Sequence, residues 1–360
     1  MKVVTVVGAR PQFVKAAVLS RELRARDIEE VLVHTGQHYD PMLSDVFFEE
    51  LSLPQPGHHL DVGSSSHGRQ TGRMLERLEP VLEREAPDWV VVFGDANSTV
   101  AGALAAAKLG LPLAHVEAGL RSFDRTMPEE INRVVADHCA DLLLCPTQTA
   151  MDHLEREGLA SRARLTGDIM YDSLLLRLSL AEERSGIIER LGLTAGGYAL
   201  VTVHRAANTD DLAALEGILE ALARLERPVV FPMHPRTRLA LTSSDLETPP
   251  HVQVIEPVGY LDMLALERGA AMILTDSGGV QKEAYLLGVP CTSFREETEW
   301  PETLTDGWNV LAGNDPARIV AAANRKRPSG QPAKLFGDGH AAEHIVRYLQ
   351  DDPPHGGCLA

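Results

Sequence analysis

The stretch V-V-T-V-V-G-A-R-P-Q-F-V-K-A-A, residues 3–17, sets the pattern for the whole chain. A β-branched run suited to a strand stops at Gly8, and apolar residues at helical spacing come at once after it. Strand, glycine turn and helix make the first half of a β–α–β unit, and the cations Arg10 and Lys15 stand where the helix begins.

The same alternation continues. Further strands are expected at Val31–His34, Trp89–Phe93, Leu113–Val116, Leu142–Cys145 and Arg164–Thr166, with helices over Gln12–Arg26, Gly68–Glu85, Thr99–Lys108 and Glu129–Ala140. Many of these strands are apolar on both faces, as parallel strands covered by helices must be. A second series has strands at Ala199–Val203, Val229–Pro232, Val252–Ile255, Met272–Thr275 and Val289–Ser293. The expected fold is α/β, two Rossmann-like domains facing a cleft. The N-terminal domain takes residues 1–172 and the C-terminal one residues 173–340, with the connection inside Tyr171–Gly197. A helix at 341–350 is expected to pack back across both domains, and 351–360, containing D-D-P-P-H-G-G, reads as a flexible tail.

Bulk properties narrow the function. At 360 residues, 44% hydrophobic and 24% charged, the chain has the composition of a soluble protein of two domains. No apolar run approaches the roughly 18–20 residues of a membrane span, and the N-terminus lacks a signal-peptide layout. Cys139, Cys145, Cys291 and Cys358 show no paired spacing, so a cytoplasmic protein without a disulfide or zinc framework is expected. A net charge of −17 argues against nucleic acid as partner. An anionic substrate would need a local cationic pocket.

In open α/β sheets, ligands gather outside the carboxyl ends of the strands. After the first strand come Gly8, Arg10 and Lys15. G-D-A-N-S-T offers Asp95, with Ser98 and Thr99 placed to cap a helix, and E-A-G-L-R offers Glu117 and Arg121. Later strands lead into His204-Arg205, into His234-Pro235-Arg236, into D-S-G-G-V-Q-K-E and to Arg295. In D-S-G-G, Ser277, Gly278 and Gly279 let backbone N–H groups approach an anion at a helix start, and Glu283 could reach a ribose diol. Each has a plainer reading. Asp95 could simply cap, His204 could be a core histidine, Glu283 could be solvated, and Glu129 could pair with Arg133 four residues on. Glu130 points about 100° away from Glu129. His38 and the Arg69-Gln70 pair alone read as loop polarity. No G-x-G-x-x-G pattern, P-loop or metal-ligand spacing is present, so neither dinucleotide nor metal is indicated.

Taken together, G-A-R-P-Q-F-V-K, H-T-G-Q-H-Y-D, G-D-A-N-S-T, H-V-E-A-G-L-R, M-P-E-E-I-N-R, T-V-H-R, T-D-S-G-G-V-Q-K-E-A and E-T-E-W-P-E resemble the non-hydrolysing UDP-N-acetylglucosamine 2-epimerase family over residues 1 to about 350. The resemblance implies a glycosyltransferase-type-B fold, no cofactor, and a cytoplasmic homodimer acting on a UDP-sugar for polysaccharide biosynthesis. It implies reversible C2 epimerisation of UDP-N-acetylglucosamine to UDP-N-acetylmannosamine, by anti elimination of UDP to 2-acetamidoglucal and re-addition. It makes Asp95, Glu117, Glu129 and His204 catalytic. Substrate contacts would be Arg10, Lys15, Arg205, Ser277, Gly278, Gly279, Glu283 and Arg295, and Gln37, His38, Arg69 and Gln70 would lie near a regulatory site. Ala96, Ala207 and Trp300 stand where threonine, glutamate and arginine are usual in the family. The alternatives are a 2-epimerase of a UDP-diacetamido-uronic acid or a retaining UDP-sugar glycosyltransferase.

Overall fold

The computed structural model describes residues 1–37 and 53–352, apart from the Arg10 side chain. They form two compact units, one of Met1–Ser173 completed by the chain from Lys334, the other of Leu174–Ala333.

The first unit holds a seven-stranded parallel sheet of β1 (Lys2–Val7), β2 (Glu29–His34), β3 (His58–His59), β4 (Trp89–Phe93), β5 (Leu113–Val116), β6 (Leu142–Cys145) and β7 (Ala163–Leu165). Its order is β3-β2-β1-β4-β5-β6-β7, with Val4 opposite both Val31 and Val90. Side chains alternate across a strand, so one sequence feeds two cores. Val3, Val7, Val91 and Phe93 pack with Phe13, Leu19, Ile345 and Leu349; Val4, Val6, Val90 and Val92 pack with Met74, Leu78, Ala103 and Ala106. The chain from Lys334 is tied in by Asp168 N–H, which donates to the Phe336 carbonyl at 2.9 Å. The Asp172 carboxylate accepts from the backbone of Ala341 and Ala342 at 3.0 and 2.8 Å, anchoring the start of the helix Ala341–Asp351. Trp89 Nε1 donates to the Leu349 carbonyl near that helix's end, at 3.0 Å.

The second unit holds β8 (Ala199–Thr202), β9 (Val229–Pro232), β10 (Val252–Ile255), β11 (Met272–Thr275), β12 (Cys291–Ser293) and β13 (Asn309–Leu311) in the parallel order β10-β9-β8-β11-β12-β13. The expected α/β class with two parallel sheets holds. Two differences have a local cause. The edge strands His58–His59 and Asn309–Leu311 are too short for any pattern to announce them. β12 starts after Pro290 rather than at Val289, because proline cannot donate to the ladder. The helix Ile169–Arg184 runs straight through the expected start of the connection at Tyr171.

In both sheets the strand order reverses once, between β1 and β4 and between β8 and β11. These are the topological switch points, where the flanking turns diverge and leave room for a ligand. Gly8 and Asp95 come after the first pair; His204 and Asp276 come after the second.

Candidate functional site

At the first switch point, a Cβ on Gly8 would lie 2.0 Å from Thr35 Oγ1, so only glycine allows the turn. The helix Arg10–Ala25 then starts with Pro11 in its first turn, where a missing N–H is harmless. Gln12 Oε1 accepts from Gly8 and Ala9 N–H at 2.8 and 3.0 Å, and its Nε2 donates to the Phe93 carbonyl and Thr99 Oγ1, both at 2.9 Å. One glutamine therefore locks the turns after β1 and β4 together. The Arg10 side chain lies outside the described part of the structure.

Lys15 is buried and its ammonium is ion-paired with Glu117. Burial pulls its pKa down, but the charge and hydrogen bond of Glu117, with the charges of Asp95 and Asp168, together outweigh it and hold the Lys15 pKa above the ordinary value. Glu117 comes directly after β5 with φ at 69°, the left-handed region that costs a residue with a side chain about 1 kcal/mol or more. Gly94, itself at φ 60°, makes the space: a Cβ there would be 3.0 Å from Glu117 Oε2 and 3.2 Å from Lys15 Nζ.

Asp95 is half-buried and accepts from Arg133 Nη2 at 2.5 Å, while Asn132 Nδ2 donates to its carbonyl at 2.9 Å. Asp95 is not a cap, and neither are Ser98 and Thr99. The N-cap of the helix Asn97–Leu109 is Ala96, with no side-chain bond. Ser98 Oγ donates to Gln12 at 2.8 Å and Thr99 Oγ1 to the Phe93 carbonyl at 2.6 Å. These hydroxyls hold the turn from within the helix.

The Glu129–Arg133 ion pair expected from spacing does not form. Arg133 turns instead to Asp95 and, at 3.3 Å, to Glu130, because the β4 turn supplies a closer carboxylate. Glu130 is buried and accepts from Ser122 N, Ser122 Oγ and Phe123 N at 2.9, 2.9 and 3.1 Å. Glu129 stays half-buried without an ion pair among the described residues. Arg121 is also taken up structurally, bonding Asp137 at 2.7 Å and Glu157 through two bonds of 2.7 Å. His115, fully buried, bridges Asp137 Oδ1 at 2.7 Å and the Gly94 carbonyl at 2.8 Å. Although burial opposes it, His115 and Arg121 hold Asp137 below the usual carboxylate range.

Gln37 and Gln70 join this end of the sheet rather than standing as loose loop polarity. Gln37 Oε1 accepts from Ser98 N at 2.9 Å, and Gln70 accepts from Asn97 Nδ2 at 2.8 Å. Arg69 is exposed, and His38 lies outside the described residues.

In the second unit, His204 is not a core histidine: its side chain is 40% exposed. Its Nδ1 lies 3.1 Å from Asp276 Oδ1, and the Asp276 carboxylate also accepts from the backbone N–H of His204 and Arg205. Burial opposes the Asp276 charge, yet these bonds and Asn208 keep its pKa below normal. The His234 ring lies tilted at 45° to the His204 ring with centroids 5.6 Å apart, and burial with that neighbour lowers its own pKa. Ser277 caps the helix Gly278–Leu286, its Oγ accepting from Val280 N at 3.4 Å.

A carboxylate is built over that helix start. A Cβ on Gly278 would meet Glu299 Oε2 at 2.9 Å, whereas one on Gly279 would meet nothing nearer than Ser277 Oγ at 3.8 Å. Arg295 grips Glu299 through bonds of 2.6 and 2.8 Å, and Arg205 pairs with it at 3.2 Å. Despite partial burial, these cations bring Glu299 down to about 2. Arg205, Arg295 and the Ser277-Gly278 turn are thus assembled around one anionic group. Glu283 is not merely solvated: Tyr260 OH donates to it at 2.6 Å.

Sequence reasoning missed Asp276, Arg133 and Glu299 as participants. All three stood inside quoted motifs, Arg133 only as a partner for Glu129, but nothing there showed the partners they take. Among the described residues no helix is long and apolar enough to cross a membrane.

The geometry has close counterparts. Residues 21–350 match the family model for UDP-N-acetylglucosamine 2-epimerase. A UDP-N-acetylglucosamine 2-epimerase homolog of Methanococcus maripaludis is 49% identical, covering 98% of this chain and 100% of that protein. UDP-2,3-diacetamido-2,3-dideoxy-D-glucuronate 2-epimerase of Pseudomonas aeruginosa is 46% identical, over 97% and 99%. The crystal structure of the Methanocaldococcus jannaschii UDP-GlcNAc 2-epimerase in complex with UDP-GlcNAc and UDP superposes with a TM-score of 0.82 at 43% identity, covering 97% of this chain and 99% of that one. With its motifs, its two parallel sheets and these likenesses in agreement, the chain belongs to the UDP-N-acetylglucosamine 2-epimerase family.

Proposed function

We propose that this protein interconverts UDP-N-acetylglucosamine and UDP-N-acetylmannosamine by inverting C2. The observation that carries the reading is the buried Lys15–Glu117 pair beside Asp95, a charged cluster held by a left-handed Glu117 at the carboxyl ends of the strands. Such an arrangement stores strain and buried charge where an ordinary turn would have neither.

No carbonyl neighbours C2 of an N-acetylhexosamine, so its proton is weakly acidic and a simple two-base inversion faces a high barrier. Elimination avoids this: UDP leaves C1 as the C2 proton is removed, giving 2-acetamidoglucal, and UDP re-adds after protonation of the other face. Asp95, Glu117 and Glu129 are the acid–base groups of the reading. Lys15, ion-paired with Glu117, offsets the negative charge that this cluster gathers at the strand ends. His204, oriented by Asp276, assists the departing UDP, and the Ser277–Gly279 turn, Arg205 and Arg295 receive its diphosphate as charge develops. Glu283 receives the ribose diol. Glu299 would yield its place among those cations to the ligand.

A second reading has its own support. Trp300 stands where the resemblance expects arginine, but Lys282 places its ammonium 3.9 Å from the Trp300 ring centroid and so returns a cation there. A diacetamido-uronic acid carries an extra carboxylate that such a cation suits, and the Pseudomonas aeruginosa relative is named for that substrate.

The test is proton NMR of the protein with each nucleotide in heavy water. Deuterium at C2 of both epimers, without net hydrolysis, is expected. Transfer to an acceptor, or release of free sugar without epimerised nucleotide, rules the reading out. The nucleotide that turns over faster identifies the substrate.

A further inference from the structure

Glu283 is the ribose ligand of the proposed function, and the role of its neighbour Glu267 rests on that reading. Behind Glu283, the helix Tyr260–Gly269 carries Tyr260 and Glu267, seven residues and two turns apart and hence on one face. Tyr260 OH donates to Glu283 Oε1 at 2.6 Å. Glu267 is 1% exposed, and neither of its oxygens meets an N–H or O–H donor among the described residues. The group that acts on it most strongly is the Glu283 carboxyl, a second acid rather than a donor. Two carboxylates have no proton to share, so one of this pair must be a neutral acid.

We propose that Glu267 is a positioning residue for nucleoside binding: as a neutral acid it donates to the Glu283 carboxylate and, with Tyr260, clamps it in the orientation that receives the ribose diol. The surroundings decide which member carries the charge. Burial raises the Glu283 pKa too, but the Tyr260 hydroxyl, Lys282 and Arg177 oppose the rise there. Arg177 lies 5.5 Å from the Tyr260 ring centroid. Glu267 has no cation among the groups acting on it, and burial with the facing acid pushes its pKa well above the ordinary range. Tyr198, whose hydroxyl donates to the Leu266 carbonyl at 2.6 Å, and the Cys291 thiol complete the neutral side. With the proton in place, the two acids form one anion with a fixed direction. Without it they would repel and Glu283 would turn aside.

The test is calorimetric titration of the full chain with UDP and with the UDP analogue lacking both ribose hydroxyls. Glu267→Leu should weaken UDP binding by about tenfold, the value of a hydrogen bond to a charged group, and leave the analogue unchanged. Glu267→Gln, which still donates, should bind UDP like the wild type. Unchanged UDP binding in Glu267→Leu, or equal loss for both ligands, overturns the proposal, as does a Glu267→Gln variant that fails alike. If the wild type does not prefer UDP over the analogue, the ribose reading of Glu283 itself fails, and the nucleoside role of Glu267 falls with it. Infrared spectroscopy separates the two questions. The carbonyl stretch of a protonated carboxylic acid should be present at neutral pH and vanish in Glu267→Gln. Its absence from the wild type overturns the shared proton whatever the nucleotide data show.

Discussion

The Asp276 carboxylate fixes both the ring and the backbone of His204, with Oδ1 at 3.1 Å from Nδ1 and Oδ2 accepting the His204 N–H at 3.0 Å. A ring held this way presents its Nε2 outward, in the tautomer set by the carboxylate. Asp276→Asn replaces an acceptor-only group by one with a donor face, so a ring or backbone N–H loses its partner. Turnover should fall on the order of 100-fold, as for loss of a general acid–base group, while UDP affinity stays within about threefold. Steady-state kinetics beside calorimetry measures both. An unchanged kcat would detach His204 from the chemistry.

The Lys15–Glu117 pair is a buried couple whose members need each other. Lys15→Met or Glu117→Gln alone strands one buried group and should cost about 3–5 kcal/mol, whereas the double variant should cost less than the sum. Because the Lys15 pKa is raised, its share of stability persists up to its ordinary range and disappears only as pH climbs through the raised value. Urea unfolding of the four proteins gives the coupling; strict additivity would show the pair to be energetically silent.

Glu299 competes for the cations assigned to the diphosphate. Glu299→Gln should tighten UDP binding severalfold by removing a resident anion. Acid denaturation gives an independent readout. Its folded pKa of about 2 lies below the unfolded value, so its stabilisation is present above the ordinary carboxylate range and lost as pH falls toward 2. The variant should lack that component. Weaker UDP binding in Glu299→Gln would mean that Glu299 orients Arg205 and Arg295 rather than displacing the ligand.

Glu129 and Glu130 separate chemistry from architecture. Glu130→Gln should destabilise by about 1–3 kcal/mol, since its carboxylate holds the loop at Ser122 and Phe123. Glu129→Gln, with no ion pair to lose among the described residues, should stay within about 0.5 kcal/mol of the wild type while losing most turnover. Thermal melts and initial rates on both variants decide the matter. Full activity in Glu129→Gln would strike it from the acid–base groups.

The sheets and the strand-end positions of Asp95, Glu117 and Ser277 were legible because buried parallel strands write continuous apolar runs and stop abruptly. The partners were not. His204 meets Asp276 across 72 residues, Arg133 meets Asp95 across 38, and Lys15 meets Glu117 across 102. Contacts of that range are set by which strands lie side by side, and no local spacing reveals them. Local spacing even misled, offering Arg133 to Glu129 when a strand-end carboxylate stood closer. Nor could sequence alone show that Glu267, one more acid on a helix, faces a second acid.

The helix Ala341–Asp351 supplies Ala341, Ala342, Ile345, Val346 and Leu349 to the core formed by Val3, Trp89 and Phe93. On the ribosome, the opening β–α–β segments therefore emerge long before the piece that seals them. All of Leu174–Ala333 must be made in between. A nascent chain stalled short of Ala341 would keep Trp89 uncovered and its indole N–H without the Leu349 carbonyl, so the first unit matures last although its strands are translated first.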